Sequence, residues 1–320
     1  MQRVVRCGLM FGMTRPVLLS PHVPPEAASA YETRRFYLKK SKRKSAPLRR
    51  AFIQRPPGST PRVGPLAAFV RRGDIRALDA YLYLVAITSG DLEGVGWSYT
   101  LDSNIWARAF GATDRASSSS ALTAVVRILN RLQERKLLEW KRVRPRSSEI
   151  TVTLLKEDGS GEPYTRPGRA NLDPYINLPF GYWYDEWDQR LSLPATAMLL
   201  VLSAEFKSTA LPAHRVDEWY GWSADTAERG FAELERYNLM TQQRVTRKAP
   251  NAPVGWTAEN RYTLQRPFRH RKRSAASAKS AAAVTSDATP ALQGLVDAVP
   301  IVPVPAGFEQ SWTGLPKLDA

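Results

Sequence analysis

Between residues 119 and 131 the chain places Ser119, Ser120, Thr123, Arg127, Asn130 and Arg131. Arginine and asparagine carry paired groups that match base edges in a major groove, and serine and threonine hydroxyls hold phosphate oxygens. Just downstream, Lys141, Arg142, Arg144 and Arg146 add four cations within six residues, suited to sequence-independent phosphate contact. From Arg115 to Arg146 nine basic residues face only Glu134 and Glu139, a local excess of +7. The chemistry implied is recognition of a double-stranded nucleic acid, with the first set reading and the second set gripping. The plainer alternative is a solvated face on a module used for protein assembly.

The elements needed to position these groups are legible nearby. Leu122, Val125, Leu129 and Leu132 fall at i, i+3, i+7 and i+10, one face of a helix, with Thr123, Arg127, Asn130, Arg131 and Glu134 opposite. After Lys136 the period changes to that of a strand, and 138–143 turns through Pro145-Arg-Ser-Ser into a second strand from Glu149. Upstream, Asp74 opens a helix with Leu78, Leu82 and Val85 as its stripe. A short strand spans 97–101, and Asp102 caps a short helix, Ser103–Phe110, stopped by Gly111.

The pattern occurs twice. A shift of 102 residues lays 128–143 over 230–245, so that Leu129 meets Phe231, Leu132 meets Leu234, Leu137 meets Leu239, and Arg142-Val meets Arg244-Val. The second copy has an apolar helix from Leu193, a short strand at Thr209, a short helix over 215–221, and a Ser223-capped helix over 224–238. Its outward face differs: Thr123 becomes Asp225, Asn130 becomes Ala232 and Arg131 becomes Glu233, while Arg127 stays basic as Arg229. Carboxylates repel phosphates, so this copy is expected to serve dimerisation or partner contact. Arg229, and Arg247 and Lys248 in its wing loop, would add a secondary nucleic-acid contact.

The net charge of +16 sits mainly outside these modules. Residues 1–72 hold sixteen Lys/Arg and two acids, whereas 73–265 is close to neutral. No acid lies between Arg34 and Arg72, where the cluster Lys39, Lys40, Lys42, Arg43 and Lys44 sits among prolines. Such composition reads as a disordered basic arm that attracts phosphate. Residues 157–190 read as a linker with an aromatic-rich segment. There Tyr182, Trp183 and Trp187 could stack bases, or Asp185, Glu186 and Asp188 could form a carboxylate site. The area those rings bury favours packing instead. Residues 268–320 read as a disordered tail.

With one cysteine, Cys7, and three histidines, the chain is expected to hold no internal disulfide, metal site or cofactor. Arg6 and Arg15 interrupt the apolar stretches of 1–20, so no signal peptide is read there, and no apolar run suits a membrane span. No phosphate-cradling glycine loop or nucleophile motif is present, so the expectation is a non-enzymatic protein of the cytoplasm, associated with the nucleoid.

The two modules resemble tandem winged helix-turn-helix proteins. The stretches SALTAVVRILNRLQERKLLEWKRV and SADTAERGFAELERYNLM are similar to the ends of MarR-like transcriptional regulator domains. The duplication is similar to plasmid or phage replication initiators built from two winged helices. The resemblance implies a mainly α (α+β) fold: winged-helix domains at 73–156 and 191–267, a disordered arm at 1–72 and a disordered tail at 268–320. It implies sequence-specific binding of double-stranded DNA, with helix 119–134 in the major groove and a homodimer formed through the second module. The expected role is transcription regulation. Replication initiation at origin repeats is the alternative, and an assembly module without specific DNA binding is a second alternative.

Overall fold

In the computed structural model, which describes residues 27–88, 97–113, 117–168, 174–205, 209–211 and 215–269, the basic stretch from Arg34 onward is folded. Ser29 and Glu32 form a capping box that starts helix α1 (Ala30–Lys40). Strand β1 (Ser45–Arg49), helix α2 (Arg50–Ile53) and helix α3 (Leu66–Arg72) follow. This corrects the expectation of a disordered arm over 1–72, of which 1–26 lies outside the described residues. Leu38, Leu48, Phe52, Ile53, Leu66 and Phe69 are all fully buried, and that anchorage offsets the ordering cost the charges suggested was prohibitive. Several of the charges are structural. Arg34 donates to Ala109 O (3.3 Å), and Arg49 forms a buried ion pair with Glu157.

The first repeat packs beneath this layer. Helix α4 (Ile75–Ile87) is buried on nearly all sides, which places it inside the core. Strand β2 (Ser98–Asp102) leads into helix α5 (Ser103–Ala109), where the Asp102 carboxylate accepts from the Asn104 N–H (2.8 Å) as expected of the cap. Helix α6 (Ser118–Glu134) buries Ala121, Val125, Ile128, Leu129 and Leu132 and turns its polar face outward. Strands β3 (Leu138–Arg142) and β4 (Glu149–Leu154) form a hairpin, and β2 joins it in an antiparallel sheet of order β2-β4-β3.

The stretch expected as a linker is also built in. Strand β5 (Tyr175–Pro179) pairs antiparallel with β1, Leu48 opposite Ile176, and the short helices α7 (Gly181–Tyr184) and α8 (Trp187–Arg190) follow. Tyr182 and Trp183 are buried, so the reading of this segment as packing rather than a stacking platform agrees with their placement. Phe268 packs against Tyr182 and Trp187, so the fold reaches one step into the expected tail; residues 270–320 lie outside the described residues.

The second repeat runs through helix α9 (Leu193–Ala204), strand β6 (Thr209–Ala210), helix α10 (Val216–Tyr220), helix α11 (Ala224–Arg236) and strands β7 (Met240–Lys248) and β8 (Trp256–Leu264). Its sheet order, β6-β8-β7, copies that of the first repeat. The match extends to single residues 102 positions apart. Lys136 and Asn238 both adopt a left-handed φ of 56° after their helices. Leu137 N–H donates to Leu132 O (3.1 Å) and Leu239 N–H to Leu234 O (2.9 Å). These bonds close each helix and turn the chain into its strand. The described residues thus form an α+β fold of eleven helices and eight strands in three small antiparallel sheets. Contacts run through residues 27–269 without dividing at the repeats, because β1, β5 and the short helices pack against both.

Candidate nucleic-acid interface

Helix α6 holds its outward face by burying the opposite one, which fixes its rotation against α4 and α5. Ser119, Ser120, Thr123, Arg127 and Asn130 are exposed along one side, and Arg131 is half-buried. Thr123 Oγ1 donates to Ser119 O one turn back (3.0 Å), leaving its lone pairs outward. The β3–β4 hairpin continues this surface, with Lys141, Arg142, Arg144 and Arg146 all exposed. Arg142 donates to Ser147 O across the turn (2.6 Å), which steadies the tip. The Ser148 hydroxyl and Asn104 hold the Asp102 carboxyl below its usual range, tying the turn to the start of α5. Among the described residues Arg127, Lys141, Arg144 and Arg146 form no ion pair closer than 4 Å, so their charge is available to a ligand.

Two members of the expected reading set are engaged elsewhere. Asp74 sits at the N-cap of α4 but makes no side-chain cap bond. Its carboxylate instead binds Arg131 (3.3 Å) and Arg135 (2.8 Å) from α6. Arg135 is 5% exposed and stacks on Phe69, so it belongs to the core, whereas Arg131 at 41% keeps part of its guanidinium in solvent. The i, i+4 spacing of the two arginines was the available signal, but their partner lies 57 residues or more upstream. Asn130 Oδ1 accepts from Trp140 Nε1–H (3.0 Å), which leaves its amide nitrogen free and braces the helix against the hairpin. The +7 of the 115–146 stretch therefore overstates the free surface charge, and Arg115 itself lies outside the described residues.

The second repeat presents a different surface. On α11, Asp225, Glu228, Arg229, Ala232 and Glu235 are exposed, and Arg229 pairs with Asp225 (3.1 Å). Glu233 turns back to accept from Ser192 N–H (2.9 Å) and from the Ser192 hydroxyl, capping α9. Arg247 and Lys248 lie in strand β7 rather than in a loop, because the hairpin has nine paired positions against five in the first. Arg247 pairs with Glu259 (3.5 Å), and Lys248 stands opposite Trp256, which is 50% exposed.

The basic cluster of residues 39–44 is divided. Lys39, Lys40, Lys42 and Lys44 are exposed and open to phosphate. Arg43 instead donates to Ala86 O (2.6 Å) and Thr88 O (2.5 Å), closing the C-terminal end of α4, where free carbonyls attract a cation. The carboxylates Asp185, Glu186 and Asp188 do not converge: Asp188 is buried on Arg34 (3.2 Å), and the other two are exposed. No group of metal-binding side chains occurs among the described residues, and none of their helices is long and apolar enough to cross a membrane. Comparison of the chain with protein-family models, curated proteins and solved structures finds no match.

Proposed function

We propose that this protein binds double-stranded DNA sequence-specifically through two tandem winged helix-turn-helix modules, as a regulator of transcription. In this reading α6 enters the major groove, where Arg127 and the amide of Asn130 meet base edges and Ser119, Ser120 and Thr123 hold phosphates. The β3–β4 hairpin is the wing, with Lys141, Arg142, Arg144 and Arg146 along the adjacent backbone. The observation that carries the reading is the continuous exposed surface of α6 and this hairpin, rich in donors and poor in paired carboxylates. The second module serves protein contact, including a homodimer, and touches DNA secondarily through Arg229, Arg247 and Lys248. The setting this implies is the nucleoid-associated cytoplasm, and the reading assigns no catalytic residue and no cofactor.

The duplication within one chain favours a second use of the same chemistry, replication initiation at repeated origin sites. Selection of bound fragments from random DNA at physiological salt tests both. One isolated operator supports a regulator and an array of direct repeats supports an initiator. Without enrichment of any sequence, the DNA reading fails and an assembly role stands. With a selected site in hand, Arg127→Ala is expected to cost about 1–3 kcal/mol of specific binding, the worth of one good base contact. Arg229→Ala is expected to cost less.

A further inference from the structure

A cavity of about 1060 Å³ opens where the stretch after α2, residues 156–165 and the α9–α10 end of the second repeat meet. Arg55 and Arg62 stand in its wall as neighbours, since Arg55 N–H donates to Arg62 O (2.8 Å) beside the Gln54–Val63 bridge. Most cations around it are neutralised within the protein. Arg49 pairs with Glu157, Arg50 with Glu205 (3.0 Å), and Lys156 with Asp158 (3.4 Å) and Glu162 (2.7 Å). Arg55 and Arg62 have no carboxylate partner within 4 Å among the described residues. The cavity therefore carries two uncompensated guanidiniums.

Unmet hydrogen bonds point the same way. Gln54, Arg62 and Trp219 line the cavity, and Gln54 Nε2, Arg62 Nε and Trp219 Nε1 are buried behind its surface without an acceptor. All three are donors, and they are three of the twelve unpartnered buried side-chain atoms among the described residues. Arg62 and Arg215 both lie over the Trp219 ring, at 5.2 and 5.6 Å from its centre, so the ring is packed in place and its N–H has no acceptor within the protein. Leu211, Tyr220 and Pro56 supply less polar wall. The complement to such a wall is acceptor-only, doubly negative at one end and organic at the other.

We propose that this cavity binds a small organic phosphate. Its dianionic head sits on Arg55, Arg62 and the Trp219 N–H, and its body lies against Leu211, Tyr220 and Pro56. A phosphate monoester carries about −1.5 to −2 charges at neutral pH, which matches the two free guanidiniums, and arginine forks suit its oxygens. The volume lies just above the range of about 300–1,000 Å³ typical of small-molecule sites, roomy enough for a nucleotide. The proposal stands independently of the DNA reading.

Isothermal titration calorimetry of the full chain with adenosine 5′-diphosphate tests it. Saturable 1:1 binding is expected, weakened about tenfold or more by Arg55→Gln and by Arg62→Gln, because each removes a charged donor from the head group. Trp219→Phe keeps the ring and removes only its N–H, and a several-fold loss is expected there even if an arginine variant folds poorly. Arg72→Gln, an equal loss of charge at an exposed position, is expected to bind as the unaltered chain does. Three results would overturn the proposal: no saturable heat at millimolar ligand, an equal loss in Arg72→Gln, or displacement of the nucleotide by duplex DNA, which would assign the cavity to a nucleic-acid backbone.

Discussion

The two repeats share a scaffold and differ in what they show to solvent. Leu129 and Phe231, Leu132 and Leu234, and the left-handed Lys136 and Asn238 hold equivalent places 102 residues apart, because each is needed to seat a helix and turn it into a strand. The outward faces answer to no such demand, and there α6 carries Arg127 and Asn130 where α11 carries Arg229 and Ala232. The second hairpin also runs longer and exposes Val254 and Trp256, where the first exposes Val143 beside its basic tip. A scaffold kept twice, with no acid on α6 before Glu134 but exposed Asp225 and Glu228 on α11, is the pattern expected if one copy reads DNA and the other serves a partner.

The largest test removes charge from each hairpin in turn. Replacing Arg142, Arg144 and Arg146 with alanine is expected to lower affinity for a selected duplex about 100-fold and to flatten the salt dependence by roughly 3 in log–log slope. The same change at Arg244, Arg247 and Lys248 should cost less than about tenfold, with a slope change near 1 or below. Fluorescence anisotropy across a salt series reads both, and equal losses would erase the proposed asymmetry.

The next test concerns packing at one matched position. Ile128 is buried in α6, and its counterpart in α11 is Gly230, where an added Cβ would lie 2.5 Å from Pro194 O. Ile128→Ala should destabilise by about 2–5 kcal/mol through the space it empties. Gly230→Ala should destabilise by about 1–3 kcal/mol through overpacking, even though alanine favours a helix. Chemical denaturation measures both. A stabilised Gly230→Ala would mean that α9 and α11 do not cross this closely.

Smaller effects probe what joins the repeats and what ends their helices. Burial lifts the Glu157 carboxyl from 4.5 to about 7, with Arg49 pulling against the rise. A carboxyl raised on folding stabilises fully below its ordinary value, and that contribution is lost as pH rises through about 7. Asp79 and Asp188, raised mainly by burial, act in the same sense. The unfolding midpoint is thus expected to decrease as pH rises from about 4.5 to about 7, and Glu157→Gln should flatten that decrease; parallel profiles would remove Glu157 from the account. Last, Lys136→Gly should stabilise by up to about 1 kcal/mol, since glycine adopts the left-handed region without strain. Asn238→Gly should do less, because asparagine already tolerates it. Thermal unfolding resolves the pair, and equal gains would contradict the strain argument.

Much of the fold could be read from the chain. Periodicity located α6, α11 and both hairpins, because a helix with one buried face repeats near 3.6 residues and a half-buried strand near 2. The Asp102 and Ser223 caps were legible for the same local reason, and the Asp102 and Ser223 side chains each bond a backbone N–H of the helix they start. The exposed donors of the candidate interface followed from that phase alone.

Long-range partners were not legible. The acid-free stretch from Arg34 to Arg72 looked unable to fold because composition counts charges without their mates. Its mates are Glu157 for Arg49, Asp188 for Arg34 and the carbonyl end of α4 for Arg43. Likewise Asp74, placed by sequence as a helix cap, spends its carboxylate on Arg131 and Arg135. Sequence by itself determined the two repeated units and which faces of their helices meet water, since both depend on local spacing. Only the tertiary structure decided that the basic arm and the aromatic linker pair through β1 and β5 into a layer across both repeats. Such pairing depends on which distant groups burial brings within hydrogen-bond reach, and no local pattern encodes it.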